Sequence, residues 1–183
     1  MIAIMRTPIS MLFQEARETG LAAGETLFVT GEEVANIYTV RSGSMHLLRH
    51  TTHGAQMVLQ NAGPGSVVAE ASAYSPRYHC DAVAAKDSIV AGLPKERFLS
   101  ALADAPALAE GWSALLARSV QAARLRAEIR SLPRLADRLD AWLEEGNRMP
   151  ERGRWQQVAA ELGVSREALY RELALRRKQG HAV

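Results

Sequence analysis

The spacing of apolar residues changes character along the chain. In residues 8–23, PISMLFQEARETGLAA, the positions Ile9, Leu12, Phe13 and Ala16 fall on one helical face, which predicts a short amphipathic lead helix. From Gly24 to about Leu93 the texture turns to short β-rich runs punctuated by glycine: TLFVTG, NIYTVRSG, SMHLLRH, QMVLQNAG, SVVA, DAVAA and SIVAGLP. Several short strands at close, regular spacing predict a small barrel or sandwich. After Pro94 the pattern is helical again, with a short helix, a break near Pro106 and then a long helix. On the long helix Leu108, Trp112, Leu115, Ala122, Ile129 and Leu132 approximate a 3-4 repeat, interrupted by Ser119 and Arg126. Such a stripe serves either a helix packed on its own barrel or a dimer seam. Pro133 breaks it, LADRLDAWLEEG forms a further amphipathic helix through Leu135, Leu139, Trp142 and Leu143, and Gly146 stops that helix. Residues 147–153 are a polar connector, and no internal repeat or low-complexity segment is found.

The last periodic stretch, WQQVAAELGVSREALYRELALRR from Trp155 to Arg177, has the layout of a helix-turn-helix. Ala159 is the small residue facing the partner helix, Gly163 the turn residue able to take φ > 0, and Leu169 the apolar lock on the second helix. Ser165 is placed to N-cap that helix. Its exposed face carries Arg166, Glu167, Tyr170 and Arg171 at the N-terminal end. That end of a recognition helix enters the major groove, where arginine reads guanine O6/N7 and glutamate accepts from cytosine N4. An ordinary helical hairpin with solvated charges has the same layout.

Charge adds to this picture. The net charge of +2 conceals an asymmetry: residues 1–112 hold 8 Lys and Arg against 11 Asp and Glu, whereas residues 113–183 hold 14 against 9. The basic part is the part with the helix-turn-helix, which suits a sensor joined to a nucleic-acid module. A 48% hydrophobic content supports a packed core in one large or two small domains. No apolar run reaches the ~18 residues of a membrane span and no signal core is seen, so a soluble, cytoplasmic protein without a membrane partner is expected. The single cysteine, Cys80, excludes an internal disulfide framework and a cysteine-only metal centre within one subunit.

Gly24-Glu25 before a strand, Gly31-Glu32 in the next turn, Ile37-Tyr38 followed by Ser42-Gly43, and Gly63-Pro64-Gly65 before Glu70 resemble the glycine framework of a cyclic-nucleotide-binding jelly roll. Those glycines are expected to close hairpins. Over about residues 20–180 the order of elements resembles the CRP/FNR superfamily of bacterial transcription regulators. Ser165-Arg166-Glu167 and Arg171 match its Ser-Arg-Glu-x-x-x-x-Arg signature. The resemblance implies an α+β fold: an N-terminal jelly-roll β-barrel, a long dimerisation helix and a small helical C-terminal helix-turn-helix domain with a truncated or missing wing. It implies domains at 1–105 (sensor with lead helix), 106–132 (dimerisation helix) and 133–183 (DNA binding). Carried onto this chain, Arg166, Glu167 and Arg171 become the base readers and Ser165 a phosphate contact, with Tyr170 and Arg177 as further DNA-binding residues.

Where the resemblance breaks down is also informative. Nucleotide-binding members pair Gly-Glu with a following Arg-Ser, the glutamate taking the ribose hydroxyl and the arginine the cyclic phosphate. Here the corresponding residues are Ala69-Glu70 and His79-Cys80. A fixed anion is best held by a permanently cationic, bidentate guanidinium, and a histidine of ordinary pKa is mostly neutral at pH 7. Arg77 substitutes only if its loop turns inward. Ala123 and Arg124 stand where cyclic-AMP-binding members carry adenine-contacting hydroxyls. The expected effector, held by Glu70, Arg77, His79 and Cys80, is therefore unknown, with a cyclic nucleotide doubtful. His79 and Cys80 are alternatively metal ligands for copper, zinc or haem, with Met45, His46, His50, His53 and Met57 nearby, or Cys80 is a redox thiol. Against this, adjacent strand residues point to opposite faces, and Cys80 is equally a small core residue. After Gly180 only His181, Ala182 and Val183 remain, so the wing is expected to be missing or vestigial and DNA affinity to lean on dimerisation and on Arg176, Arg177 and Lys178.

The expected function is a homodimeric, DNA-binding transcription regulator switched by an effector in the β-roll. Its partners are a palindromic double-stranded operator, a second copy of the chain and, as a further candidate, RNA polymerase. The alternative is a metal- or redox-sensing or ligand-binding regulator that acts through protein contacts with weak or no specific DNA binding. No nucleophile elbow, phosphate loop or paired acid–base motif points to an enzyme.

Overall fold

The structure, a computed structural model, describes residues 8–50, 56–151, 153 and 155–178. The chain divides into two compact units, Met1–Arg118 and Ser119–Val183. The first contains a short helix α1 (Pro8–Met11), six strands β1 (Arg17–Leu21), β2 (Thr26–Phe28), β3 (Asn36–His50), β4 (Gln56–Ala62), β5 (Val67–Val68) and β6 (Asp81–Pro94), and helix α2 (Lys95–Asp104). Helix α3 (Pro106–Ser131) runs through the division point, and α4 (Leu135–Glu144), α5 (Trp155–Leu162) and α6 (Arg166–Lys178) complete the second unit. Among the described residues no helix is long and apolar enough to cross a membrane.

The strands form one antiparallel sheet in the order β1-β6-β3-β4, with β2 added to β6 and β5 to β3. Two long strands make this possible, because besides pairing with each other each serves two further partners along its length. β3 pairs with β5 at Tyr38 and Thr39 and with β4 from Met45 onward. β6 pairs with β2 near Ala82 and Val83 and with β1 from Ser88 to Gly92.

The glycine at Ser42-Gly43 therefore does not close a hairpin. It bends a continuous β3 where the register against β6 shifts. Gly43 has φ +88°, and an added Cβ would sit 2.5 Å from Ser88 Cα, so both the backbone conformation and the close approach require glycine. Ser88 stitches the irregular crossing: its hydroxyl accepts from Ser44 N–H at 2.9 Å and lies within hydrogen-bond distance of the Ser44 and Lys86 carbonyls. DAVAA and SIVAGLP are likewise one strand.

The lead helix is shorter than its periodicity predicts, ending at Met11, and Arg17–Leu21 is a strand. Sheet pairing outweighs the local preference here, since β1 registers residue by residue against Gly92 to Ser88. The apolar positions were nonetheless core positions: Ile9 and Phe13 are buried, with Leu12 and Ala16 packed beside them. Arg41 Nη2 donates to the Phe13 carbonyl, which holds the turn after α1.

Phe13, Phe98 and Trp112 join α1, α2 and the start of α3 to the roll. The Phe98 and Trp112 rings meet edge-on at 4.9 Å. Farther along, α3 loses cover: Ala117, Val120, Ala122 and Ala123 are exposed, and Ile129 belongs to a separate core with Leu139, Trp142, Val158, Ala159, Leu162, Leu169 and Leu173. Thus Trp112 and Ile129, two members of one expected stripe, are buried in different cores.

Candidate functional site

In the second unit the helix-turn-helix is built as its spacing requires. Ala159 is buried at the α5–α6 contact. Gly163 has φ +68°, and its amide donates to the Ala160 carbonyl across the turn. The Ser165 hydroxyl accepts from Ala168 N–H at 3.2 Å, capping α6. Leu169 and Leu173 seal the inner face.

On the outer face Arg166, Glu167 and Arg171 are exposed, whereas Tyr170 is half-buried. Tyr170 packs on Trp155, with ring centroids 4.9 Å apart, and the Arg166 guanidinium lies over its ring at 5.2 Å. The Glu167 carboxyl is held below its ordinary range, first by its own backbone N–H, then by the Ser165 side chain, with Arg166 and Arg171 adding attraction. The end of α6 thus offers two cations and one firmly ionised acceptor.

Not every basic residue on α6 is available. Arg176 Nη1 pairs with Asp140 at 2.5 Å, its Nε with Glu172 at 2.9 Å, and Nη2 donates to the Ala136 carbonyl at 2.8 Å. Its guanidinium is spent on fastening α6 to α4. Arg177 and Lys178 are exposed. Residues 179–183, on which the expected missing wing depends, lie outside the described residues, as does His53.

In the first unit, Ala69 is left-handed, φ 53° and ψ 46°. It opens a short 3-10 turn (Glu70–Ser72) that buries Glu70 and Ser72. Among the described residues it is the one non-glycine with positive φ, so this turn stores strain at the start of the candidate effector segment Glu70 to Cys80, hereafter the cassette.

The cassette residues do not converge as a set. Ser72 Oγ lies 2.7 Å from His79 Nδ1, which joins the two halves. His79 and Cys80 lie in the bend before β6 and not in a strand as expected, with His79 exposed and Cys80 fully buried. Burial pushes the Cys80 thiol up to about 11, against the pull of Arg49 and with a smaller push from Asp81 and Glu70. Arg77 is exposed and donates to the Gly31 carbonyl at 2.6 Å. Met45 is buried, Met57 exposed, and His50 pairs with Asp81 at 3.2 Å. Among the described residues no three His, Cys, Asp or Glu side chains are grouped as metal ligands would be.

Two residues absent from the sequence-based set belong here. Arg49, from β3, donates through Nη2 to the His79 carbonyl at 3.0 Å, and Ser72 orders the His79 ring. Neither has a local signature, because Arg49 reaches the cassette from 30 residues away.

Comparison with known proteins places these features in a family. The cyclic nucleotide-binding domain matches residues 18–105. The Cyclic AMP receptor protein of Thermus thermophilus is 30% identical over 162 residues, 86% of this chain and 75% of the relative. The solved structure of FixK2 from Bradyrhizobium japonicum matches with a TM-score of 0.77 at 19% identity, covering 90% of this chain and 86% of that one. The c-di-GMP-responsive global regulator CLP of Xanthomonas campestris gives 0.75 at 21% identity, covering 96% and 94%. At such identities the two structures speak for the fold, and the sequence relative carries the kinship. A cyclic nucleotide-binding roll, a long helix and a capped helix-turn-helix, in a sequence with that relative, assign the chain to the CRP/FNR family of transcription regulators.

Proposed function

We propose that the protein is a homodimeric, sequence-specific DNA-binding regulator, with Arg166, Glu167 and Arg171 reading base edges in a palindromic operator. The observation that carries this reading is the end of α6, where two exposed arginines flank an ionised glutamate on a helix capped by Ser165 and locked by Leu169. Arginine donors suit guanine and a carboxylate suits cytosine. Ser165, Arg177 and Lys178 meet phosphates, and Tyr170 supports the reading face. The exposed stretch of α3 around Val120 and Ala123 serves as the seam between two copies.

The effector sits at the Glu70–His79 cassette and is not cyclic AMP. Arg49 donates to the His79 carbonyl, which brings a guanidinium to the cassette, whereas Arg77 donates to the Gly31 carbonyl. A ligand with a hydroxyl for Glu70 and an anionic group for Arg49 fits the chemistry of these side chains. Such a ligand switches the protein only by binding one arrangement of the dimer better than another.

Selection of duplexes from a random pool by the purified protein tests the DNA reading. An enriched palindrome on which Arg166→Ala or Arg171→Ala costs about 1–3 kcal/mol, with little loss on random DNA, supports it. A pool with no enriched sequence overturns it.

A further inference from the structure

An arginine at the first position of an exposed helix has many rotamers open to it, and a guanidinium must give them up to grip a base edge. Arg166 is partly ordered before any ligand arrives. Its guanidinium carbon lies 5.2 Å from the centroid of the Tyr170 ring, one helical turn onward. The same ring packs against Trp155 of α5, at 4.9 Å between centroids and 58° between planes. Trp155 is fixed in turn, since its indole N–H donates to the Pro150 carbonyl at 3.0 Å. The three side chains form a ladder from the packed base of α5 to the open tip of α6, with Tyr170 half-buried in the middle and Arg166 exposed at the end.

We infer that Tyr170 is a positioning residue for DNA reading: stacked on Trp155, its ring holds the Arg166 guanidinium in place for a base edge. This rests on the reading of Arg166 as a base-contacting residue. The ring acts through Arg166 and makes no base contact of its own. Preordering the arginine removes part of the side-chain ordering that binding would otherwise require. The ring, not the phenolic hydroxyl, supplies the effect, so phenylalanine preserves it and an aliphatic side chain of similar bulk does not. A residue that merely packed α5 on α6 would behave differently, since leucine packs a helix contact as well as tyrosine does.

The test uses the full chain and the duplex enriched by the wild-type protein from a random pool. Tyr170→Leu should bind that duplex about two- to fivefold more weakly, with binding to random DNA unchanged, as expected for an exposed cation–π contact. Tyr170→Phe should match wild type, and the lost discrimination should fall at the same base pair that Arg166→Ala relaxes. In an Arg166→Ala background, Tyr170→Leu should have no further effect. Thermal melts followed by circular dichroism check the fold, and Tyr170→Met carries the same comparison where the leucine variant melts early. Wild-type discrimination in a folded Tyr170→Leu or Tyr170→Met, or an equal loss with Arg166 already removed, overturns the inference while leaving the DNA reading intact. Failure of the wild-type protein to enrich any duplex overturns the DNA reading itself.

Discussion

Arg130 Nε donates to the main-chain oxygen of Glu161 at 2.9 Å, so a side chain near the end of α3 holds the C-terminal end of α5. Its Nη2 reaches the Ala160 carbonyl at 3.0 Å, and Arg138 Nη1 reaches that of Leu162 at 3.2 Å. A helix leaves its last carbonyls without internal partners and carries partial negative charge there. Two arginines from two different helices answer both needs at once. Arg130 Cγ also lies 3.4 Å from where a Cβ on Gly163 would sit, an ordinary contact, so it is the φ of +68° and not crowding that favours glycine at this turn.

Arg130→Met should therefore weaken the second unit as a whole. It keeps the aliphatic stem but leaves two carbonyls without their charged donor, at a cost of about 1.5–3 kcal/mol. Urea denaturation followed by Trp142 and Trp155 fluorescence measures this. A variant as stable as wild type would mean that water replaces the guanidinium without loss.

The strain at Ala69 is open to a matched comparison. Ala69 and Ala73 flank the same 3-10 turn and are both buried, but Ala73 is right-handed, φ −55° and ψ −33°. Ala→Gly at either site deletes one buried methyl and loosens the unfolded chain. Only at Ala69 does it also relieve a left-handed backbone, worth about 1–2 kcal/mol. Ala69→Gly should thus be more stable than Ala73→Gly by about that amount in paired denaturation curves. Equal losses would show that the Ala69 conformation costs nothing.

Cys80 makes an alkaline prediction. Burial raises its thiol from 9.0 to about 11, so between those values the folded state keeps a proton that the unfolded state has released. Its contribution to stability is complete below pH 9 and disappears as the pH rises through 11. The loss is on the order of 2 kcal/mol. Tyr78 is raised as well, chiefly by burial and least by Cys80 itself, so its contribution stays nearly the same when wild type is compared with Cys80→Ala. The variant should show a flatter fall in stability from pH 9 to 11. Parallel curves would place the thiol near its ordinary value and make it a better candidate for redox or metal chemistry.

These features were unequally legible in the sequence. Ser165, Gly163 and Leu169 act within one turn of themselves, and cap, turn and lock all stand where their spacing puts them. The break at Pro106 and the long α3 follow from equally local rules. The strand at Arg17–Leu21 has no local signature because it exists through pairing with β6. The role of Ser42-Gly43 is ambiguous in the sequence because a positive-φ glycine bends a strand as readily as it closes a hairpin. In the cassette, Glu70 could be found by resemblance, but Arg49 could not, since only the folded roll brings it to the His79 carbonyl.

Arg176 and Arg177 are sequence neighbours with opposite expected signatures. Arg176 is surrounded by Asp140, Glu172 and the Ala136 carbonyl, and little of its side chain meets solvent. Removing it leaves two carboxylates without a partner and unties α6 from α4. Arg177 is exposed, and among the described residues its Nε reaches the Leu173 carbonyl, at 3.5 Å. A cation in that state is free to replace a counterion on a phosphate, and each such contact adds about 0.9 to the salt dependence of binding. Arg177→Gln should therefore lower the slope of log K against log salt by about 0.9 on cognate and random duplexes alike, with the melting temperature almost unchanged. Arg176→Gln should lower the melting temperature and leave the slope near the wild-type value. Titrating both variants from low to moderate salt separates the two roles. A reduced slope for Arg176→Gln at full stability would mean that its ion pairs open when DNA binds.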